Sequence, residues 1–355
     1  MRHSFAIDYR RCLDPSGALV GSLPAAARDA ALIGALYRAL IRARTFDAKA
    51  IALQRTGRLG TFASALGQEA VSLGTASAMR NEDVFIPSFR EHAAQLWRGV
   101  SLVELFLYWG GDERGSDPLH ARSDFPISVP VGSHALHAAG VALAFRLRHE
   151  PRVAVAVFGD GATSKGDVAE AINFAGVWRL PVVFVVNNNQ WAISVPLKSQ
   201  TAAETLAQKA IAGGIAGIQV DGNDVLAVHA TVGEAIEKAR TGGGATLVEA
   251  VTYRLGDHTT SDDASRYRND AEVTPHWAEE PAIRLRKYLT DIGVWSRDDE
   301  ERLLSEVQAE IDRAADVYLA TPPQDIGSIF DFTFAAMPAD LAAQRAAALA
   351  ERGTR

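Results

Sequence analysis

Residues 152–196 read RVAVAVFGDGATSKGDVAEAINFAGVWRLPVVFVVNNNQWAISVP, and they decide the fold. Arg152 to Phe158 is a short, continuous, Val-rich apolar run, the pattern of a parallel strand covered on both faces. Ala162 to Leu180 follows, with Val168, Ile172, Ala175 and Trp178 spaced for one face of a helix, and Pro181 to Val186 repeats the buried-strand pattern. Strand, helix and strand make a βαβ unit. Working outward from it, the alternation of apolar runs and helical segments predicts an α/β fold with a doubly wound, mainly parallel sheet.

The polar residues of this unit fall at its two strand tips. Gly159-Asp160-Gly161 ends the first strand and Asn187-Asn188-Asn189 ends the second. Open α/β sheets bind small molecules in the crevice beyond those ends. Gly161 would let a ligand approach the backbone, and the start of the following helix favours an anion such as a phosphate. Asp160 repels a phosphate unless a divalent cation lies between them. Mg²⁺ suits one carboxylate, an amide oxygen from Asn189, a backbone oxygen and phosphate oxygens. Gly-Asp-Gly alone also describes a tight turn, and the Asn run at the tip of the next strand turns the balance toward a cation site. A dinucleotide site is the nearest rival. Its third glycine is replaced by Ser164, and the second strand ends in amides where a ribose-binding acid is expected.

Gly-Asp-Gly followed at this distance by paired asparagines resembles the thiamine-diphosphate motif. From about Leu36 to its last helices the chain resembles the α subunits of the 2-oxo acid dehydrogenases. The resemblance implies a sheet of the thiamine-diphosphate-binding type with Gly159, Asp160, Gly161 and Ala162 at the cofactor. It implies Mg²⁺ on Asp160, Asn189 and the carbonyl of Trp191, a position where the family usually has Tyr. Phe89 and Arg90 align with an aromatic–Arg pair that grips the diphosphate; Phe89 lacks the usual hydroxyl, and the planar fork of Arg90 suits phosphate oxygens. Val129 and Val131 align with contacts to the aminopyrimidine and the apolar side of the cofactor. His258 aligns with the catalytic histidine of the active-site loop, a residue type suited to moving protons near neutral pH. His134 stands where Gln is common, and Thr259 where mitochondrial relatives carry a regulatory phosphoserine.

Composition narrows the functional class. Of 355 residues, 48% are hydrophobic and 22% charged, the profile of a globular protein with a sizeable core. The net charge is −7 and no long basic block occurs, which argues against nucleic acid and acidic membranes as partners. The single cysteine, Cys12, allows no internal disulfide and suits a reducing compartment. The apolar runs fall far short of the ~20 residues that span a bilayer, and the first residues lack the apolar core of a secretory signal. A cytoplasmic location is expected.

Along the chain, residues 1–35 read as an N-terminal arm and the beginning of the first helix, residues 36–280 as the cofactor-binding domain, and residues 281–355 as a helical extension. Ala26 to Thr56 predicts a helix, and Gly67-Gln68-Glu69-Ala70 opens another to about Met79. Asp83 to Pro87 is a short strand. Ser88-Phe89-Arg90-Glu91-His92 at its tip reads, without the family, as either a charged site or a solvated turn. Residues 110–130 form a long irregular loop before a helix that carries His137. Thr201 to Gly213 predicts a helix, Ile218 to Val220 a strand, Asp221-Gly222-Asn223-Asp224 a turn with Asp224 capping the helix Val225 to Arg240, and Thr246 to Tyr253 a further strand. Arg254 to Arg268 lacks periodicity and reads as a mobile loop.

The resemblance also carries a function: oxidative decarboxylation of a 2-oxo acid, pyruvate before branched-chain 2-oxo acids or acetoin, with acyl transfer to a lipoyl group on a partner acyltransferase. A glutamate needed to activate the cofactor resides, in this family, on a separate β subunit. The chain is therefore expected to act in a heterotetramer of two α and two β chains. A scaffold that kept the fold without the chemistry is the remaining reading from another class.

Overall fold

The computed structural model describes residues 3–352; the first two residues of the expected arm and the last three of the expected extension lie outside them. Eight strands occur among the described residues: β1 (Tyr9–Arg10), β2 (Val84–Ile86), β3 (Ala154–Gly159), β4 (Val182–Asn188), β5 (Trp191–Ala192), β6 (Val195–Pro196), β7 (Ala216–Asp221) and β8 (Thr246–Val251). Six form one sheet in the order β1-β7-β8-β4-β3-β2, with every neighbouring pair parallel. β5 and β6 make a short antiparallel ribbon just past the tip of β4.

The Val-rich runs are continuous because both faces of the sheet are covered. Val155, Val157, Val183, Val185 and Val248 enter a core shared with the helices Ala30–Arg55, Glu69–Ser77 and Val225–Arg240. The intervening Ala154, Ala156, Phe158, Val182, Phe184 and Val186 enter a second core with the helices Ser133–Leu147 and Gly166–Val177. Each such valine, removed from water, stabilises the fold by about 1.5–3 kcal/mol. Register follows from this, since a one-residue slip would exchange the two faces.

The arm lies on the sheet edge. β1 adds a parallel strand to β7, and the cap expected at Asp224 has a double duty. One carboxylate oxygen accepts from Leu226 and Ala227 at the helix start, and the other from the amides of Cys12 and Leu13 at 2.6 Å each. The first helix, Ala30–Arg55, runs unbroken past position 36. At the other end, Arg297–Ala320 lies along that helix through ion pairs Arg42–Glu310 and Lys49–Asp312. No helix among the described residues is long and apolar enough to cross a membrane.

Several expected boundaries are corrected. The helix expected from Ala162 begins as a 3₁₀ turn, Asp160–Ser164, and becomes α-helical only at Gly166, so its start stands a turn away from the strand tip. The helix expected over 201–213 shrinks to a 3₁₀ turn, Leu206–Gln208, and one α-turn, Lys209–Ala212. There, Thr201 and Gln208 side chains take the amides of Ala203 and Glu204, offering the backbone an alternative to helical bonds. The last strand stops at Val251, which frees Thr252 and Tyr253 for the region beyond the sheet.

Candidate functional site

Tips of β2, β3 and β4, together with the segment after β8, enclose a crevice of ≈ 210 Å³. It is lined by Phe89, Arg90, Val131, Gly159, Asp160, Gly161, Ala162, Asn189, Trp191 and His258, ten of the eleven positions singled out from the sequence. Val129 is the exception: it is 57% exposed and outside this lining. Gly161 also has a packing reason. A Cβ there would stand 2.7 Å from the Cβ of Ala192, so the glycine lets the ribbon pack against the strand tip. At Gly159, by contrast, a Cβ would meet open space.

Asp160 is 2% exposed and has no ion-pair partner among the described residues. Gln200, 40 positions away, donates from Nε2 to its Oδ2 at 2.8 Å. Burial raises the carboxyl pKa, opposed by that hydrogen bond and by the amide of Gly161. A buried carboxylate without a counter-ion is unfavourable by itself and is relieved by a cation. Asn189 points its Oδ1 at the amide of Trp191 (3.2 Å) and donates from Nδ2 to Gln68 Oε1 (2.8 Å). The Trp191 carbonyl takes only a long contact from Arg254, 3.4 Å. Among the described residues no three His, Cys, Asp or Glu side chains cluster as a metal site. The oxygens present are one carboxylate, one amide and one carbonyl, a hard donor set of the kind Mg²⁺ takes with phosphate and water. The side chain of Asn187 adds a buried oxygen with no partner. The residues fit a divalent cation.

The solvated turn considered for residues 88–92 is absent. Arg90, Glu91 and His92 are all buried, and their roles diverge. His92 turns away from the crevice into an aromatic cluster, stacked on Phe62 and accepting from the Trp109 indole, with its pKa pushed down to about 3 by burial. Glu91 accepts from Ser88 Oγ and the Arg90 amide, and burial pushes it up to about 7. Arg90 lies over the Phe89 ring and donates to the carbonyl of Ser64 and to both Nδ1 (2.8 Å) and the carbonyl of His258. Burial lowers its pKa to about 10, so it remains a cation at neutral pH. Its fork, expected to suit phosphate oxygens, is also engaged by the loop histidine.

That contact settles the state of His258. A guanidinium only donates, so Nδ1 accepts and the ring proton sits on Nε2. Burial, then Arg90 and Arg254, push the ring pKa down to about 4, which keeps it neutral. The segment 254–268 is also not the free loop its sequence suggested. Arg268 donates to the carbonyls of Arg254, Leu255 and Gly256, Asp262 accepts the His258 amide, and Arg254 is itself 1% exposed.

A larger cavity, ≈ 730 Å³, lies beyond Trp191 at the tips of β7 and β8. Size does not make it the better site, because its one buried carboxylate is already paired. Asp221 sits between the guanidiniums of Arg11 and Arg284, and His276 between the Tyr253 ring and Glu279.

The family model described as "Dehydrogenase E1 component" matches residues 37–326, a span that contains every crevice residue named above. The chain belongs to the dehydrogenase E1 component family. Members of this E1 family are thiamine-diphosphate-dependent enzymes that decarboxylate and oxidise 2-oxo acids, and the crevice lies within the E1 span. Among relatives, the 3-methyl-2-oxobutanoate dehydrogenase subunit alpha of Mycobacterium tuberculosis is 44% identical over 311 residues, 87% of this chain and 84% of that one. The pyruvate dehydrogenase E1 component subunit alpha of Acholeplasma laidlawii is 42% identical over 313 residues, covering 87% and 90%. The subunit of the same description from Bacillus subtilis is 40% identical over 314 residues, covering 87% and 84%.

Three residues that line the crevice or bond to its lining escaped sequence reasoning. Gln68 was visible in the Gly-Gln-Glu-Ala segment but had no reason to face Asn189, 121 positions on. Gln200 and Arg254 carry no local signal, since a polar residue in a loop reads as solvated until the fold buries it.

Proposed function

We propose that this chain is the α subunit of a 2-oxo acid dehydrogenase, with Mg²⁺ held by Asp160, Asn189 and the Trp191 carbonyl and thiamine diphosphate held through it. The observation that carries this reading is the buried Asp160, in no ion pair within 4 Å among the described residues and lining one crevice with Asn189, in a chain of the E1 family. Phe89, Arg90, Val131, Gly159, Gly161, Ala162 and His258 line the same crevice and are proposed as cofactor contacts, as is the exposed Val129 two residues before Val131. We read residues 36–280 as the unit that builds the site, wrapped by the arm and by residues 281–355.

Thiamine diphosphate, when bound, supplies the electron sink that stabilises the acyl carbanion left when a 2-oxo acid loses CO₂. The chain's own residues bind, orient and move protons around it. Asp160 brings the charge that a cation neutralises, and Gln200 holds the carboxylate in place. Arg90 keeps its positive charge in a dry wall, where it favours an anionic phosphate. By donating to Nδ1 it also aims the His258 ring, whose Nε2–H becomes the proton that the loop offers to an oxygen in the crevice.

The reading includes a β subunit in a heterotetramer, a lipoyl-bearing acyltransferase as acceptor of the acyl group, and a cytoplasmic location. Pyruvate is the first substrate proposed. The relative named for 3-methyl-2-oxobutanoate favours a branched-chain 2-oxo acid as the second. The test is co-expression with a β subunit encoded beside it, followed by rates on pyruvate, 2-oxoisovalerate and acetoin with Mg²⁺ and thiamine diphosphate. The pair should decarboxylate one of the first two, and the lone chain neither. Strong turnover by the lone chain, or none by the pair, overturns the proposal.

A further inference from the structure

We infer that Gln68 is the positioning residue for Asn189: its carboxamide oxygen decides which end of the Asn189 side chain faces the cation. The inference rests on the cation site proposed above. Three hydrogen-bond facts lead to it, and the first removes the usual ambiguity of amide side chains. The backbone amide of Trp191 can only donate, and the end of Asn189 facing it, at 3.2 Å, must be the oxygen. The nitrogen of Asn189 then points the other way, where it donates to Gln68 Oε1 at 2.8 Å. Gln68 is left with its own NH₂ group buried and without a partner.

That last fact is informative because it is unfavourable. Gln68 is 1% exposed, and a buried donor left unpaired typically costs about 1–3 kcal/mol. Its neighbour Glu69 is buried too but is satisfied by Arg44 and the Gly67 amide, whereas Gln68, at the start of the helix Glu69–Ser77, is left with an unpaired donor. The single bond that Gln68 makes through its oxygen is the compensating gain. With a non-accepting side chain at position 68, the Asn189 nitrogen would lose its acceptor, and only the 3.2 Å bond from the Trp191 amide would oppose a turn of its NH₂ toward the cation. A metal ligand whose orientation is set from behind in this way loses affinity when the supporting group is removed, by about 10–100-fold.

The test uses the full chain assembled with its co-expressed β subunit. Thiamine diphosphate binding is followed by titration calorimetry across a range of Mg²⁺ concentrations, with ligand-free melting as the folding control. Gln68→Met keeps length and loses the acceptor; it should raise the Mg²⁺ concentration for half-saturation at least about tenfold. Gln68→Glu keeps an acceptor toward Asn189 and should stay within about threefold of the parent, which a purely space-filling role would not predict. Should Gln68→Met fail to fold, Gln68→Asn, one methylene too short to reach, replaces it with the same expected shift. The inference is overturned by a methionine or asparagine variant within about twofold of the parent, or by a glutamate variant as impaired as methionine. If the parent itself binds no Mg²⁺ and thiamine diphosphate, the cation site is wrong and this inference falls with it. A parent that binds while Gln68→Met binds equally well removes Gln68 alone.

Discussion

Two cavities open at the carboxyl edge of one sheet, and they are built on opposite principles. In the larger, beyond β7 and β8, the buried carboxylate is paired: Asp221 lies between Arg11 and Arg284, with Arg284 Nε the one buried atom of its lining left unpaired among the described residues. In the smaller, beyond β3 and β4, the polar groups are left wanting. Among the described residues Asp160 makes no ion pair within 4 Å, Asn187 and Gln68 have unpaired atoms, and His258 is held neutral by burial and by two arginines. The lesson is that volume marks space, whereas unsatisfied buried polarity marks a place prepared for a ligand.

The contrast can be broken most forcefully from the closed side. Arg284→Met removes one partner of a buried pair, and such losses run to about 3–5 kcal/mol. The expected effect is toward the low end, because Arg11 still faces Asp221. Denaturant midpoints should show it, while thiamine diphosphate affinity per folded molecule stays unchanged. A specific loss of affinity would join the two cavities into one site.

On the open side, Asp160→Asn removes the charge and keeps the shape. Mg²⁺-dependent binding of thiamine diphosphate should fall about 100-fold, or ~2.7 kcal/mol. Ligand-free stability should hold or rise, since burial already disfavours the carboxylate. Retained binding in calorimetry would remove the cation from the account.

His258 gives a smaller effect with a defined sign. Its folded pKa, about 4, lies below the ordinary value of 6.5, so the unfolded chain binds more protons between those pH values. The neutral ring's contribution is fully present above that window and is lost as pH falls through it. His258→Gln should therefore narrow its stability deficit relative to the parent between about pH 7.5 and about pH 4.5. Parallel pH profiles for the two proteins would show that the ring is not held neutral.

The smallest change is expected at Lys198, an exposed cation on the rim of the larger cavity. Lys198→Ala should alter stability by less than about 0.5 kcal/mol and affinity by less than about twofold. A larger change in affinity would give the closed cavity a part in binding.

The strands and the polar residues at their tips were legible because their signals are local. Val155, Val157, Val183 and Val185 announce a doubly covered sheet through an unbroken apolar run, and Asp160 and Asn189 follow at the tips of the two strands. Segments governed by competition were not legible. Residues 201–205 carry helix-compatible composition, yet side chains capture their amides. Ser88 to His92 read equally as a charged site or a solvated turn, yet Arg90 reaches His258 while His92 stacks on Phe62.

Periodicity and turn chemistry suffice to specify a doubly wound α/β chain with an oxygen-rich crevice, since both depend on residues a few positions apart. Protonation and orientation at that crevice do not. The neutral His258 needs Arg90, 168 positions away, and the aim of Asn189 needs Gln68, 121 positions away. Such states depend on desolvation and on neighbours that folding alone brings within hydrogen-bond range, and no spacing along the chain encodes them.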